Sequence, residues 1–250
     1  MQTISVSMQK GGSGKTTTVV NLAAALGKRG KRVLVVDLDP QGNASTWLGA
    51  DNTDAGMYGV LAGNHKMKSV IQPSTAGNVS IAPASKWLIG IERALAAKVG
   101  AETLLRKKIK EIAKDYDIAI IDTPPMLSTV TVNALVAAES VIIPIETHAL
   151  SLLGLAQIME TVAAVQENLN GKLKILGILP TRVNVRTKLS TDVIASARKG
   201  FGKLTFANVI RENVKLAECP TYRQSIFDYD AKGIGAADYK ALATEVLRKL

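Results

Sequence analysis

The stretch Gln9-Lys10-Gly11-Gly12-Ser13-Gly14-Lys15-Thr16-Thr17-Thr18 stands between an apolar run, Ile4 to Met8, and an Ala/Leu-rich segment. That strand–loop–helix order is the setting a phosphate-cradling loop requires. Closely spaced glycines let backbone N–H groups turn inward toward phosphate oxygens, and the N-terminus of the following helix adds partial positive charge. In this reading Gly11, Gly12, Ser13, Gly14, Lys15, Thr16 and Thr17 form the cradle. Lys15 reaches the β- and γ-phosphates, and the Thr16 hydroxyl ligates Mg²⁺.

Two other segments supply carboxylates to the same place. Arg32-Val-Leu-Val-Val-Asp37-Leu-Asp39-Pro40-Gln41-Gly42-Asn43 ends an apolar run with two acids. Ligand sites in open α/β sheets lie at the C-terminal ends of the strands, which turns Asp37 and Asp39 toward the phosphate pocket. Asp117-Ile-Ala-Ile-Ile-Asp122-Thr-Pro-Pro125 is a further apolar run ending in Asp. A carboxylate there contacts Mg²⁺, usually through water, rather than taking a proton. Apolar strands ending in Asp are common. Specificity comes from the combination with the loop at 10–17 and the acids at 37 and 39.

The loop lacks the glycine that G-x-x-x-x-G-K-[ST] places five residues before Gly14, where Gln9 stands, and it carries Lys10 directly before Gly11-Gly12. That K-G-G-x-G-K-T form resembles the deviant Walker A loop of the ParA/MinD group of ATPases, and Q-K-G-G looks more like its partition (ParA/Soj) branch. Asp37-Leu-Asp39-Pro40-Gln41-Gly42-Asn43 is similar to the group's D-x-D-P-Q-G-N, and Asp122-Thr-Pro-Pro125 to its D-x-P-P. Ser140-Val-Ile-Ile-Pro144-Ile, Pro180-Thr-Arg182 with Arg186-Thr187, and the segment from Val209 to Pro220 resemble further family segments. The likeness covers roughly residues 2–250.

This resemblance implies a P-loop NTPase fold and a slow, partner-stimulated ATP hydrolase with ATP and Mg²⁺ as cofactors. It implies that Asp39 orients the attacking water and that Asp37 helps Thr16 and Asp122 organise the metal. Lys10 would cross to the phosphates of a second subunit in an ATP-bound homodimer, completing a catalytic set of Lys10, Lys15, Asp39 and Asp122. Arg211 and Asn213 would lie on the adenine side. A ParB-like, centromere-binding activator is the implied protein partner, and plasmid or chromosome DNA the implied cargo.

Charge points the same way. Between Lys172 and Arg223 eleven Lys/Arg face three acids, within a chain of net charge +10. Such local asymmetry suggests a polyanion partner, with non-specific DNA preferred over an anionic membrane. Arg186, Lys188 and Lys215 are the first candidates for its phosphates, followed by Arg198, Lys199, Lys203 and Arg223. A MinD-like membrane-cycling regulator is the alternative. It requires a basic amphipathic helix beyond the fold, and residues 236–250 instead carry an apolar face suited to packing on a sheet, with no anchor expected after it.

At 250 residues and 47% hydrophobic content the chain predicts one domain over 1–250. A single cysteine excludes an internal disulfide, and neither a signal-peptide layout nor 18 consecutive apolar residues is present, so a cytoplasmic protein, nucleoid-associated when ATP-bound, is expected. Apolar runs alternating with helical segments predict a mostly parallel sheet of about seven strands covered by helices on both faces. Strands are expected at 3–8, 32–37, 79–82, 117–122, 140–145, 174–179 and 205–210. Helices are expected at 15–28, 86–98, 101–114, 128–137, 152–168, 190–199 and 236–250. The least regular portion is 54–77.

Overall fold

Runs of Val and Ile, bare of charge until their last residue, form the inner strands, because β-branched side chains pack well on a pleat buried on both faces. The strands are β1 (Gln2–Val6), β2 (Val33–Asp37), β3 (Gln72–Pro73), β4 (Val79–Ala82), β5 (Ile118–Asp122), β6 (Ser140–Glu146) and β7 (Lys174–Thr181). The computed structural model describes residues 1–50, 56–63, 65–148 and 151–250; these seven strands make one sheet in the order β3-β4-β2-β5-β1-β6-β7. All its ladders are parallel except that of β3 with β4.

Six helices of eight residues or more are present among the described residues: α1 (Lys15–Gly27), α2 (Leu104–Glu111), α3 (Thr129–Ala137), α4 (Ser151–Asn168), α5 (Lys188–Phe201) and α6 (Ile234–Lys249). Alternation along the strands divides the core. Val33, Val35, Ile118 and Ile120 join Leu22 of α1 and Leu242 of α6 on one face. Leu34, Val36, Ala119 and Ile121 face Leu105 of α2 and Val130 of α3 on the other. Val141, Ile143 and Ile145 of β6 extend that second face against Leu155 of α4 and Ala197 of α5. Among the described residues no helix is long and apolar enough to cross a membrane.

Six of the seven expected strands form within one to two residues of their expected ends. The seventh is a correction. Residues 205–210 run beside β7, with Phe206 N–H on the Ile178 carbonyl and Ile210 N–H on the Pro180 carbonyl, yet they make only an isolated bridge there. Glu245 of α6 takes the N–H groups of Ala207 (3.0 Å) and Asn208 (3.1 Å), which removes those donors from any ladder. The seventh strand is instead β3, inside the stretch expected to be irregular; of that stretch, residues 54, 55 and 64 lie outside the described residues. The helix expected over 86–98 is also split, into a 3₁₀ turn (Lys86–Gly90) and a short helix (Ile91–Leu95) meeting at Gly90.

Candidate functional site

Sheet order brings the three sequence segments to one edge. β2, β5 and β1 are consecutive and parallel, and the register pairs Asp37 with Asp122 and Asp122 with Val6. The loop leaving β1 therefore starts beside both carboxylates. Gly12 and Gly14 have φ of 78° and 83°, a left-handed backbone that a side chain would strain. Gly14 caps α1 without offering its first N–H groups an acceptor. Those donors remain for an anion.

Within this edge the Thr16 hydroxyl donates to Asp122 Oδ2 at 2.7 Å. The other oxygen, Asp122 Oδ1, is buried and has no hydrogen-bond partner among the protein atoms. A buried carboxylate oxygen without a donor is costly unless a cation or a cation's water faces it. Asp37 is fully buried and accepts from Ser45 N (2.8 Å), Ser45 Oγ (2.6 Å) and Asp39 N (3.1 Å). Burial, only partly offset by those bonds, pushes its carboxyl up to about 6. Burial also raises Asp122 well above the usual carboxylate range, and the neighbouring Asp37 adds to the effect. This is an acidic edge arranged to receive positive charge. Mg²⁺ takes few protein oxygens and keeps waters and substrate phosphates, and Thr16, Asp122 and Asp37 fit that demand.

Lys15 is nearly buried, and its ammonium donates to the Lys10 carbonyl at 3.0 Å. Desolvation lowers its pKa, while Asp122 and Asp39 oppose the shift. Asp39 is almost buried, and its Oδ1 accepts from Gln41 N at 3.0 Å. Lys10 points the other way, to Glu146 at the end of β6, 3.4 Å from Oε2.

A cavity of about 420 Å³ opens beside Gly12, Gly14 and Thr17, walled by Thr181, Arg211, Glu212, Asn213 and Tyr239 among others. Arg211 and Asn213 both line this cavity, though neither side chain is idle. The Arg211 guanidinium is held by Asp238, with Nη2 2.6 Å from Oδ1, and its own N–H donates to Asp238 Oδ2 at 3.0 Å. Asn213 Oδ1 accepts from Lys215 N at 2.9 Å, capping the short helix Val214–Glu218. Thr181, Ser45, Glu146 and Arg182 were not singled out as site residues. The Thr181 hydroxyl lies 2.9 Å from the Ser13 carbonyl and 3.1 Å from the Ile145 carbonyl, tying β7 to the loop. Thr181 and Glu146 act through contacts with a loop far away in sequence, which no local window contains, and Ser45 acts from the short helix Asn43–Trp47.

The seven basic candidates do not form one patch. Arg186 and Lys188 lie at the start of α5. Arg198 and Lys199 lie in its last turn, with Lys203 in the 3₁₀ turn that follows. A helix of 14 residues separates these groups by about 20 Å. The Lys215 ammonium is 3.0 Å from Glu218 and lies over the Tyr229 ring. Arg223 ends the 3₁₀ turn Cys219–Tyr222, and its carbonyl accepts from Thr75 Oγ1 at 3.0 Å.

Comparison with known proteins gives the same answer from another direction. Residues 1–175 match the family model described as "AAA domain". The chain is similar to the sporulation initiation inhibitor protein Soj of Bacillus subtilis, 41% identical over 245 residues that span 97% of each chain. It is 39% identical to the chromosome partitioning protein ParA of Myxococcus xanthus, across 98% of this chain and 88% of that protein. Among solved structures it resembles the cobyrinic acid a,c-diamide synthase of Mycobacterium smegmatis with bound ATP analogue and magnesium (33% identity, TM-score 0.86, 99% of this chain and 95% of that one).

Proposed function

The chain belongs to the ParA/Soj family of chromosome-partitioning ATPases, and on that premise we propose that it is a Mg²⁺-dependent ATPase whose ATP-bound form pairs with a second copy, binds DNA without sequence preference and is turned over by a ParB-like partner. The observation that carries the reading is the edge where Thr16, Asp122, Asp37 and Lys15 converge below an uncapped helix N-terminus. That edge suits a triphosphate and a divalent cation together.

In this reading the loop N–H groups and Lys15 hold the phosphates, and Lys15 leaves the Lys10 carbonyl to do so. Thr16, Asp122 and Asp37 hold Mg²⁺, which when bound supplies positive charge against the phosphate oxygens. Asp39 orients the water that attacks the terminal phosphorus. Lys10 of each subunit reaches the phosphates of the other, so charge growing on the transferred group is neutralised only in the dimer. Arg211, fixed by Asp238, and Asn213 shape the wall on which the base lies. Arg186, Lys188 and Lys215 meet DNA phosphates, and pairing of two subunits doubles their number. The protein works in the cytoplasm and rests on the nucleoid while ATP-bound.

Lys15→Ala tests the pocket. The variant loses the ammonium that holds the phosphates and keeps the backbone cradle, so ATP affinity should fall by about a hundredfold or more. A fluorescent ATP analogue measures it. Wild-type affinity in this variant would rule out the pocket as described.

A further inference from the structure

Glu146 is the last residue of β6 and is paired in register with Thr181, whose hydroxyl touches the phosphate loop. Its carboxylate faces two cations. Oε2 is 3.4 Å from Lys10 Nζ, and Oε1 is 3.0 Å from Arg182 Nη1. The carboxylate is the less exposed partner, 16% against 35% for Lys10. A Cβ on Gly12 would come within 3.7 Å of Oε1, so the group lies directly against the loop. Arg182 has a left-handed backbone with φ of 49°, an uncommon conformation for a residue with a side chain. Its second nitrogen is 3.9 Å from Glu212, and both residues wall the nucleotide cavity.

Lys10 is therefore secured within its own chain, by a carboxylate that a second cation on the cavity wall holds in place. We propose that Glu146 is a positioning residue for Lys10: it keeps that lysine clasped in cis, and the clasp opens before Lys10 can reach a partner subunit's phosphates. The inference rests on the trans role of Lys10 given above. Its consequence is a tax on dimerisation. Both lysines must be free in a dimer, so if only a fraction of subunits have a free Lys10, apparent affinity between subunits is lowered by the square of that fraction. A partly exposed pair shared with Arg182 is a modest restraint, which sets the scale at about two- to fivefold.

Glu146→Gln removes the charge and keeps the shape. In the ATP-bound state, this variant should reach half-maximal dimer at a protein concentration about two- to fivefold lower than wild type, measured by light scattering. Glu146→Asp, which keeps the charge, should restore wild-type behaviour in part. A second measurement needs no dimer. Reductive methylation of nucleotide-free protein, read by mass spectrometry, should label Lys10 faster in Glu146→Gln while other lysines keep their rates. An unchanged labelling rate, or a dimer midpoint that is unchanged or higher, overturns the clasp. Lys10→Ala separates the two claims. If it dimerises and turns over like wild type, the trans-lysine reading fails and the clasp with it. If it does neither, that reading stands and the Glu146 results alone decide the clasp.

Discussion

Asp37 and Asp122 are adjacent, buried and each short of the positive charge their burial demands. Both carboxyls have pKa values raised above their unfolded ones, so the native protein binds these protons more tightly than the unfolded chain does. Stability of the nucleotide-free protein should then fall as pH rises from about 4 through about 6, by on the order of 3 kcal/mol for Asp37 alone. Thermal melts across this window measure it, and Asp37→Asn should flatten the slope. A melting temperature that climbs steadily with pH across the window contradicts the assignment. In the proposed mechanism Asp39, whose side chain accepts from Gln41 N, orients the attacking water and does not hold the metal. Asp39→Ala should keep ATP affinity within a few-fold of wild type and lower phosphate release by at least about a hundredfold. Near-normal hydrolysis in that variant would remove Asp39 from the chemistry.

The elements that carry the site were legible because each combines a buried β-branched run with a change of chemistry at its end. Val33 to Asp37 and Ile118 to Asp122 need no tertiary information to be read as inner strands stopping at a ligand edge. Residues 205–210 have the same local look. They fail as a strand because Glu245, 35 residues or more away in sequence, claims two of their N–H groups, and no window of local sequence contains that contact. β3 was missed for the opposite reason: two residues, one of them Pro, make a viable edge strand but carry no period. Glu245→Ala tests this account. It leaves the Ala207 and Asn208 donors unmatched, so urea denaturation should show a loss of about 1–3 kcal/mol. ATP affinity should weaken too, since the segment leads into the cavity wall at Arg211. A variant as stable as wild type would mean the segment is held by packing alone.

At the scale of the molecule, net charge +10 on 250 residues was visible in composition, but its distribution was not. The basic stretch that reads as continuous in sequence puts Arg186 and Lys188 at one end of α5 and Arg198, Lys199 and Lys203 at the other, while Arg182 and Arg211 line the cavity and Lys215 lies between its lining residues Val214 and Leu216. Arg186→Glu with Lys215→Glu should therefore weaken ATP-dependent DNA binding by roughly a hundredfold near physiological salt while leaving dimerisation intact. Wild-type binding should weaken steeply as salt rises and show little preference among sequences, because phosphate contacts carry no base information. Equal affinity of the double variant in a gel-retardation titration would assign the basic surface another purpose. The central claim, that bound ATP turns a monomer into a dimer, has a direct test in the light-scattering mass of Asp39→Ala, which should hold ATP without consuming it. With ATP and Mg²⁺ the mass should be twice the 26.5 kDa of one chain, and with ADP or no nucleotide it should stay at one. A mass of one chain under all three conditions, with ATP shown to be bound, would contradict the account.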